Sequence, residues 1–168
     1  VGFKESSSIV LEDNDVVYCA TGILLDVSPY EPDTVIRFER NRFAYNGVGV
    51  LFHNDWQGSE FRENHFVGNF TQVAVRGGGG AMRNVWSHNY WDDYEGFDRN
   101  GDNAGDTPYE LYAFADRIWM EIPQARFFKT SPALELLDFL ERLAPFSSPD
   151  LMLKDEAPRF RKTERKAT

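Results

Sequence analysis

The chain has little cysteine, little basic charge and no long apolar run. Its single cysteine, Cys19, excludes an internal disulfide framework. No run of about 18 apolar residues is present, and a membrane-spanning helix would need one. Lys and Arg number 18 against 27 Asp and Glu, for a net charge of −9, so we do not expect nucleic acid as a partner. Apolar residues nevertheless make up 42% of the 168 residues and aromatic residues 15%, which is enough for one folded domain.

Four segments of the chain repeat one pattern, each centred on an asparagine: Asn14, Asn41, Asn64 and Asn89. The spacings are 27, 23 and 25 residues. An apolar residue stands three positions before and two positions after each asparagine, and the first three repeats carry two more, nine and eleven positions after it. These residues are Leu11, Val16, Ile23, Leu25, Phe38, Phe43, Val50, Phe52, Phe61, Phe66, Val73, Val75, Trp86 and Trp91. A period of about 20 to 30 residues with short alternating strands predicts a solenoid.

The repeat predicts an all-β fold, a right-handed parallel β-helix over residues 1–106, with an ordinary β-sandwich as the alternative. Apolar residues at alternate positions point inward and stack on the next rung. We expect each asparagine at a corner, because Asn tolerates the left-handed backbone conformation, and we expect its amide to hydrogen-bond from rung to rung. The outward columns place Arg37 beside Glu60, Glu39 beside Arg62, and Arg40 between Asp13 and Glu63, which indicates solvated faces of paired charge.

The acidic stretch "NYWDDYEGFDRNGDNAGDTPY", residues 89–109, follows the last repeat. Within it Asp98, Asn100, Asp102 and Asp106 occupy positions 1, 3, 5 and 9 of a calcium-loop pattern. Tyr109 stands where such a loop has its bidentate glutamate, so the pattern is incomplete. Three interpretations remain open: a structural hard-cation site, with Ca²⁺ the candidate; a turn rich in Asx hydrogen bonds; and a carboxylate pair for hydrolysis.

The segment from 107 to 153 is predicted to cap the solenoid and to dock a partner. "TPYE", residues 107–110, suits either a capping box that opens a short helix or a last strand. A helix is predicted over 132–144, because Ser131 suits its N-cap, Pro132 its first position and Pro145 its end. Its apolar surface is broader than one stripe, and the predicted docking residues are Leu136, Phe139, Leu140, Leu143 and Phe146. Residues 154–168 are predicted to be a disordered basic tail.

The acidic stretch and the segment "ELYAFADRIWMEIPQARFFKTSPALELLDFLERLAPFSSPDL" together resemble the C-terminal part of the NosD family. "NYWDDYEG…D.NGD..GDTPY" alone is shared with other secreted β-helices of the carbohydrate-binding and sugar-hydrolase superfamily; "DRIWM" and "LDFLERLAPFS" narrow the resemblance. It implies a periplasmic protein, peripheral to the membrane, that works with an ABC transporter permease and ATPase and with a copper chaperone in building the copper centres of nitrous oxide reductase. Family members are longer, so further N-terminal rungs are expected.

Copper could be a cargo of such a protein, and soft ligands would hold Cu(I). The candidate ligands are Cys19, His53, His65, Met82, His88, Met120 and Met152. They form no Met-x-x-Met, Cys-x-x-Cys or His-x-x-x-Met pair, so the sequence does not assign copper ligands. The expected function is therefore a non-catalytic periplasmic component of the copper-centre assembly machine. One alternative is a secreted β-helix that binds or cleaves polysaccharide; another is a purely structural surface solenoid with neither metal nor partner.

Overall fold

The computed structural model describes residues 1–77, 79–112 and 151–160. Its repeats form three parallel four-stranded sheets. Sheet A contains β1 (Gly2–Lys4), β4 (Thr21–Asp26), β7 (Val48–His53) and β10 (Thr71–Arg76). Sheet B contains β2 (Val10–Glu12), β5 (Ile36–Glu39), β8 (Ser59–Arg62) and β11 (Val85–Ser87). Sheet C contains β3 (Asp15–Val17), β6 (Arg42–Ala44), β9 (His65–Val67) and β12 (Tyr90–Trp91). The chain therefore winds as a parallel β-helix, as predicted.

Aromatic columns fill the core in the predicted register. In sheet B, Phe38 pairs with Phe61 and Phe61 with Trp86, and their rings stack at centroid distances of 4.6 and 4.2 Å. In sheet C, Phe66 stacks on Trp91 at 4.2 Å. Sheet A supplies the predicted columns at positions nine and eleven after the asparagines, which are aliphatic except for Phe52. The stacked rings stabilise the fold by burying large apolar areas, and the contacts between ring faces add to that stabilisation.

The asparagines form a ladder, as predicted, but the left-handed residue is a different one. The backbone amide of Asn41 donates to Oδ1 of Asn64 at 3.0 Å, and that of Asn64 donates to Oδ1 of Asn89 at 3.0 Å. Asn41 and Asn64 are fully buried. The left-handed conformation belongs to the residue before each ladder asparagine, with φ of 54–56° at Asp13, Arg40, Glu63 and His88. The chain turns at this preceding residue, and the asparagine side chain points inward to bond the next rung. The prediction that the asparagine itself takes the left-handed conformation was therefore wrong.

A second ladder runs along the corner between sheets C and A. The amide of Cys19 donates to Oδ1 of Asn46 at 2.9 Å, and the amide of Asn46 donates to Oδ1 of Asn69 at 3.0 Å. Cys19 is half-buried at the first position of this ladder. Tyr18, Tyr45 and Gly68 precede the three residues and all have positive φ. Asn46 and Asn69 repeat at the spacing of Asn41 and Asn64, so the sequence did carry a signal for this second corner.

Several outward charges pair across rungs, as expected for a solvated face, whereas Glu39 and Arg62 lie in register but pair with Arg40 and Glu60. The guanidinium of Arg37 lies 3.4 Å from the Glu60 carboxylate, and that of Arg40 lies 3.1 Å from Asp13. Glu63 is paired instead with Arg159, at 3.2 Å. These pairs are exposed, so each contributes at most about 1 kcal/mol to stability. Their effect is to leave rows of mutually neutralised charge along sheet B.

The described C-terminal residues form a two-stranded antiparallel sheet. Of the two alternatives left open for this stretch, the structure shows the last strand and not the short helix: residues Tyr109–Tyr112 form β13. It pairs antiparallel with β14 (Leu151–Asp155), so the predicted disordered tail is ordered at its start. The predicted helix 132–144 and residues 161–168 lie outside the described residues. Within the described ranges, no helix has the length and apolar character needed to cross a membrane.

Candidate functional site

The acidic stretch folds around one tyrosine at the end of the β-helix. The ring of Tyr94 lies so close to Gly96 and Gly105 that a Cβ on either would fall 2.0–2.1 Å from its hydroxyl oxygen. That hydroxyl bonds to Thr107. Just before the loop, Trp91 is buried and its ring stacks on Tyr109 at 4.3 Å. The glycines are therefore needed for close packing, and the loop brings Tyr109 onto the last rung of the sheet C column.

The four predicted calcium ligands are occupied by hydrogen bonds within the loop. Asp98 accepts from the amides of Gly101 and Asn103, at 2.7 and 3.0 Å. Asp106 accepts from Arg99 N at 2.6 Å, and Asp102 from Ala104 N at 2.8 Å. Asn100 Oδ1 accepts from Asp102 N at 3.1 Å. These are the self-contained Asx bonds of a polar turn.

Across residues 1–77, 79–112 and 151–160, no three His, Cys, Asp or Glu side chains are grouped so that they could hold a metal ion. The predicted calcium ligands Asp98, Asn100, Asp102 and Asp106 therefore receive no support from the geometry, and the Asx-turn interpretation accounts for their arrangement.

A second acidic pair, Asp92 and Asp93, lies where the corner ladder of Asn69 ends. Gln72 Nε2 donates to Asp92 Oδ1 at 2.6 Å, and the amide of Gly68 donates to the same carboxylate. The hydroxyl of Tyr109 donates to Asp93 Oδ2 at 3.1 Å. Desolvation raises the pKa of Asp93, the hydrogen bond from Tyr109 opposes that rise, and the neighbouring charge of Asp92 adds to it. Asp92 and Asp93 are both exposed residues, and these hydrogen bonds tie them to Gly68, Gln72 and Tyr109.

Asp155 ends the central asparagine ladder, and sequence reasoning missed it. Its carboxylate is fully buried. Oδ2 accepts from the backbone amide and from Nδ2 of Asn89, both at 3.0 Å, and from Nε1 of Trp91 at 3.2 Å. Oδ1 accepts from the amide of Ala157 at 3.2 Å. The one sequence signal was the apolar Met152 three positions earlier, but Asp155 comes 66 residues after Asn89, far outside the repeat period.

The candidate copper ligands have separate surroundings in the described residues. His53 lies between Asp26 and Arg76, at 3.4 and 3.5 Å. His88 bonds to the hydroxyl of Ser87 at 2.6 Å. His65 packs beside the ring of Tyr90, Cys19 is in the corner ladder, Met152 is in the core, and Met82 is exposed. Met120 and the predicted docking residues Leu136, Phe139, Leu140, Leu143 and Phe146 lie outside the described residues.

Among the described residues, a cleft of about 510 Å³ opens beside the corner after sheet A. It is lined by Asn54, Asp55, Trp56, Gln57, Gly79 and Arg83. Arg83 contacts Asp55 at 3.4 Å and Gln57 at 3.3 Å, and the indole Nε1 of Trp56 donates to Pro29 O at 2.9 Å. An indole beside planar polar side chains provides a surface on which a flat polar ligand can lie.

The fold and these sites define a parallel β-helix scaffold whose polar groups are largely engaged in building the solenoid. The family model of the periplasmic copper-binding protein (NosD) matches residues 1–96, so the chain belongs to the NosD family. Two curated relatives are each named probable ABC transporter binding protein NosD. The one from Pseudomonas aeruginosa is 34% identical over 113 residues, and the one from Stutzerimonas stutzeri is 34% identical over 111 residues. The matches cover 65% and 64% of this chain but 26% and 25% of the relatives.

The chain thus spans about a quarter of the length of the curated relatives it matches. The description of the family as periplasmic fits a periplasmic location for this protein. The relatives are named as binding proteins and not as enzymes, which is consistent with the expected non-catalytic role.

Proposed function

We propose that this protein is the non-catalytic periplasmic component of an ABC-transporter-linked machine that assembles the copper centres of nitrous oxide reductase. The observation that carries this proposal is the NosD family match, which covers all twelve strands of the three parallel sheets. The paired outward charges and the hydrogen-bonded loop carboxylates support a scaffold role, because each of these groups already has a structural partner. Copper would be cargo handled together with the chaperone and the reductase.

As part of this proposal, we infer that the protein docks on the transporter permease through five apolar residues of its C-terminal segment: Leu136, Phe139, Leu140, Leu143 and Phe146. Large apolar side chains at the centre of an interface supply most of its binding energy. The test is co-purification of the full-length protein with the permease in detergent, comparing wild type with Phe139→Arg and Leu143→Arg. The matched control is Val85→Arg, which replaces an exposed apolar residue of sheet B.

We expect the control to co-purify at the wild-type level and the two segment variants to lose at least about tenfold of the bound permease, which corresponds to about 1.4 kcal/mol. Unchanged co-purification of both segment variants would remove the docking assignment.

The cleft at Trp56 is the candidate binding site for the alternative function, a polysaccharide-binding β-helix. A glycan that binds the wild type and not Trp56→Ala, with the β-sheet circular dichroism retained, would favour that alternative. Turnover of polygalacturonate by the full-length protein would contradict the non-catalytic role.

A further inference from the structure

The chain contains two Asn–Gly pairs, Asn46–Gly47 and Asn100–Gly101, and the fold holds them differently. In such a pair the backbone nitrogen of the glycine can attack the side-chain amide carbon of the asparagine, because glycine has no Cβ to hinder the approach. The succinimide ring that forms releases ammonia, and water then opens the ring to aspartate or isoaspartate. Whether a pair reacts in the folded protein therefore depends on what holds the glycine amide and the asparagine side chain.

The first pair is held inside the corner ladder. Asn46 is 2% exposed. Its Nδ2 donates to Val16 O and to Oδ1 of Asn69, both at 3.0 Å, and its Oδ1 accepts from the amide of Cys19 at 2.9 Å. The amide of Gly47 donates to the carbonyl oxygen of Cys19 at 2.8 Å, and a carbonyl oxygen is a poor base. The side chain cannot turn towards the glycine nitrogen without breaking the ladder, so this pair is protected.

The second pair lies in the acidic turn, and both of its residues are exposed. Gly101 has a φ of 76°, and no described atom lies within 4 Å of the position that a Cβ would take. Its amide donates to Oδ1 of Asp98 at 2.7 Å. The N–H that must lose its proton before the nitrogen can attack is therefore already bonded to a carboxylate, which can act as a general base.

The side chain of Asn100 is held by the same turn. Its Oδ1 accepts from the backbone amide of Asp102 at 3.1 Å. That oxygen becomes negatively charged when the nitrogen attacks, and a donor already in place stabilises the developing charge. Its Nδ2, the nitrogen that would leave, donates to Oδ2 of Asp102 at 2.9 Å. The turn thus offers an acceptor for the proton of the attacking nitrogen and a donor for the oxyanion.

We propose that Asn100 is a site of spontaneous deamidation and that the acidic turn promotes the reaction. The nitrogen of Gly101 bonds to Cγ of Asn100 while Asp98 accepts its proton. The bond between Cγ and Nδ2 then breaks, and the leaving nitrogen takes up that proton and departs as ammonia. Water hydrolyses the succinimide at one of its two carbonyl groups, so the sequence of steps needs neither an oxidant nor a cofactor.

The product adds a carboxylate to a turn that already holds Asp98 and Asp102. Like charges at this separation repel one another, so we expect the modified turn to be looser than the unmodified one. This inference goes beyond the proposed function, since it concerns the acidic turn alone and holds with or without a transporter or copper.

The two Asn–Gly pairs of one chain provide the first test. The full chain is incubated at neutral pH, both folded and unfolded in guanidinium chloride, and peptide mass spectrometry follows deamidation at each site. In the folded chain we expect Asn100 to react at least about tenfold faster than Asn46, where reaction requires local opening. Unfolding should accelerate Asn46 and should not accelerate Asn100. Equal rates in the folded chain, or a faster reaction of Asn100 in the unfolded chain, would overturn the proposal.

Replacing the carboxylate tests its part in the reaction. Asp98→Asn keeps an oxygen that can accept from Gly101, but an amide oxygen is not an effective base. We expect it to slow deamidation at Asn100 by about tenfold or more and to leave the rate at Asn46 unchanged. The matched control is Glu95→Gln, which removes a negative charge from an exposed residue of the same loop and should leave both rates at the wild-type value. An unchanged or faster rate at Asn100 in Asp98→Asn, or equal slowing in Glu95→Gln, would overturn the proposal.

Discussion

Replacing Asp155 tests whether the C-terminal strand completes the asparagine ladder. Asp155→Ala leaves four donors without their acceptor: the backbone amide and Nδ2 of Asn89, Nε1 of Trp91 and the part-buried amide of Ala157. Each buried donor left unpaired costs about 1–3 kcal/mol. Water entering the vacated space and the loss of a buried carboxylate, which is itself costly to desolvate, reduce the sum. We expect Asp155→Ala to lower the free energy of unfolding by about 3–5 kcal/mol.

The conservative variant separates the hydrogen bonds from the charge. Asp155→Asn keeps one amide oxygen, and one oxygen is what Asn64 and Asn89 offer to the rungs before them. It loses only the weaker bond from Ala157, at 3.2 Å. We therefore expect Asp155→Asn to cost about 0.5–1.5 kcal/mol.

The assay is urea unfolding, followed by tryptophan fluorescence and by far-ultraviolet circular dichroism. Glu156→Ala, at a neighbouring residue whose side chain is 73% exposed, is the control and should stay within about 0.5 kcal/mol of wild type. Two results would refute the reasoning: Asp155→Ala no less stable than Glu156→Ala, or Asp155→Asn as unstable as Asp155→Ala. The second would mean that the negative charge matters and the ladder geometry does not.

Four further predictions concern the corners and the acidic loop. Asn64→Ala removes one buried side chain of the asparagine ladder and should lower the free energy of unfolding in urea by about 2–4 kcal/mol. A loss below about 1 kcal/mol would show that the ladder hydrogen bonds contribute little to stability. Gly68→Ala should cost about 1–3 kcal/mol, because φ is 61° and a Cβ would lie 2.7 Å from the Tyr45 ring; wild-type stability would contradict this. Asp93→Asn should raise the melting temperature at pH 7, with the gain shrinking as the pH falls towards the ordinary Asp pKa; a gain independent of pH would show another cause. Adding calcium should leave the melting temperature of both the wild type and Asp98→Ala unchanged. A rise in the wild type alone would support the calcium-site interpretation after all.

The sign of the Asp93 effect follows from its raised pKa. A carboxyl group whose pKa is higher in the folded than in the unfolded state favours folding when protonated. That contribution is fully present below the unfolded-state pKa and is lost as the pH rises through the folded-state value. At neutral pH the ionised Asp93 therefore opposes folding, and the asparagine, which does not ionise, removes that opposition. In Asp93→Asn, the amide oxygen of the new side chain can still accept the hydrogen bond from the Tyr109 hydroxyl.

The repeating part of the fold could be predicted because one local rule recurs at every rung. Phe38, Phe61 and Trp86 stand at one position of the repeat, and parallel register follows once that position is known. The corner conformation could not be assigned to the correct residue, since periodicity does not distinguish Asn64 from its neighbour Glu63. Side-chain direction decides that choice, and it is fixed only when the next rung is in place.

The elements at the C-terminal end of the β-helix, namely the acidic loop, β13 and β14, could not be predicted. They depend on contacts between residues far apart in the chain. Asp155 contacts Asn89 across 66 residues, and no repeat of the sequence pattern indicates this contact. The acidic loop was misleading for a related reason. The spacing of Asp98, Asn100 and Asp102 suits both a cation site and a set of Asx turns, and only the positions of the backbone amides decide between them.

The most direct test of the account is the copper content of nitrous oxide reductase purified from a bacterium whose NosD family gene has been deleted. The strain is complemented with the full-length protein carrying this chain, or with an empty vector. We predict a copper-loaded reductase with the protein and a reductase depleted of copper without it. Equal copper content in the two strains would contradict the proposed role in assembling the copper centres.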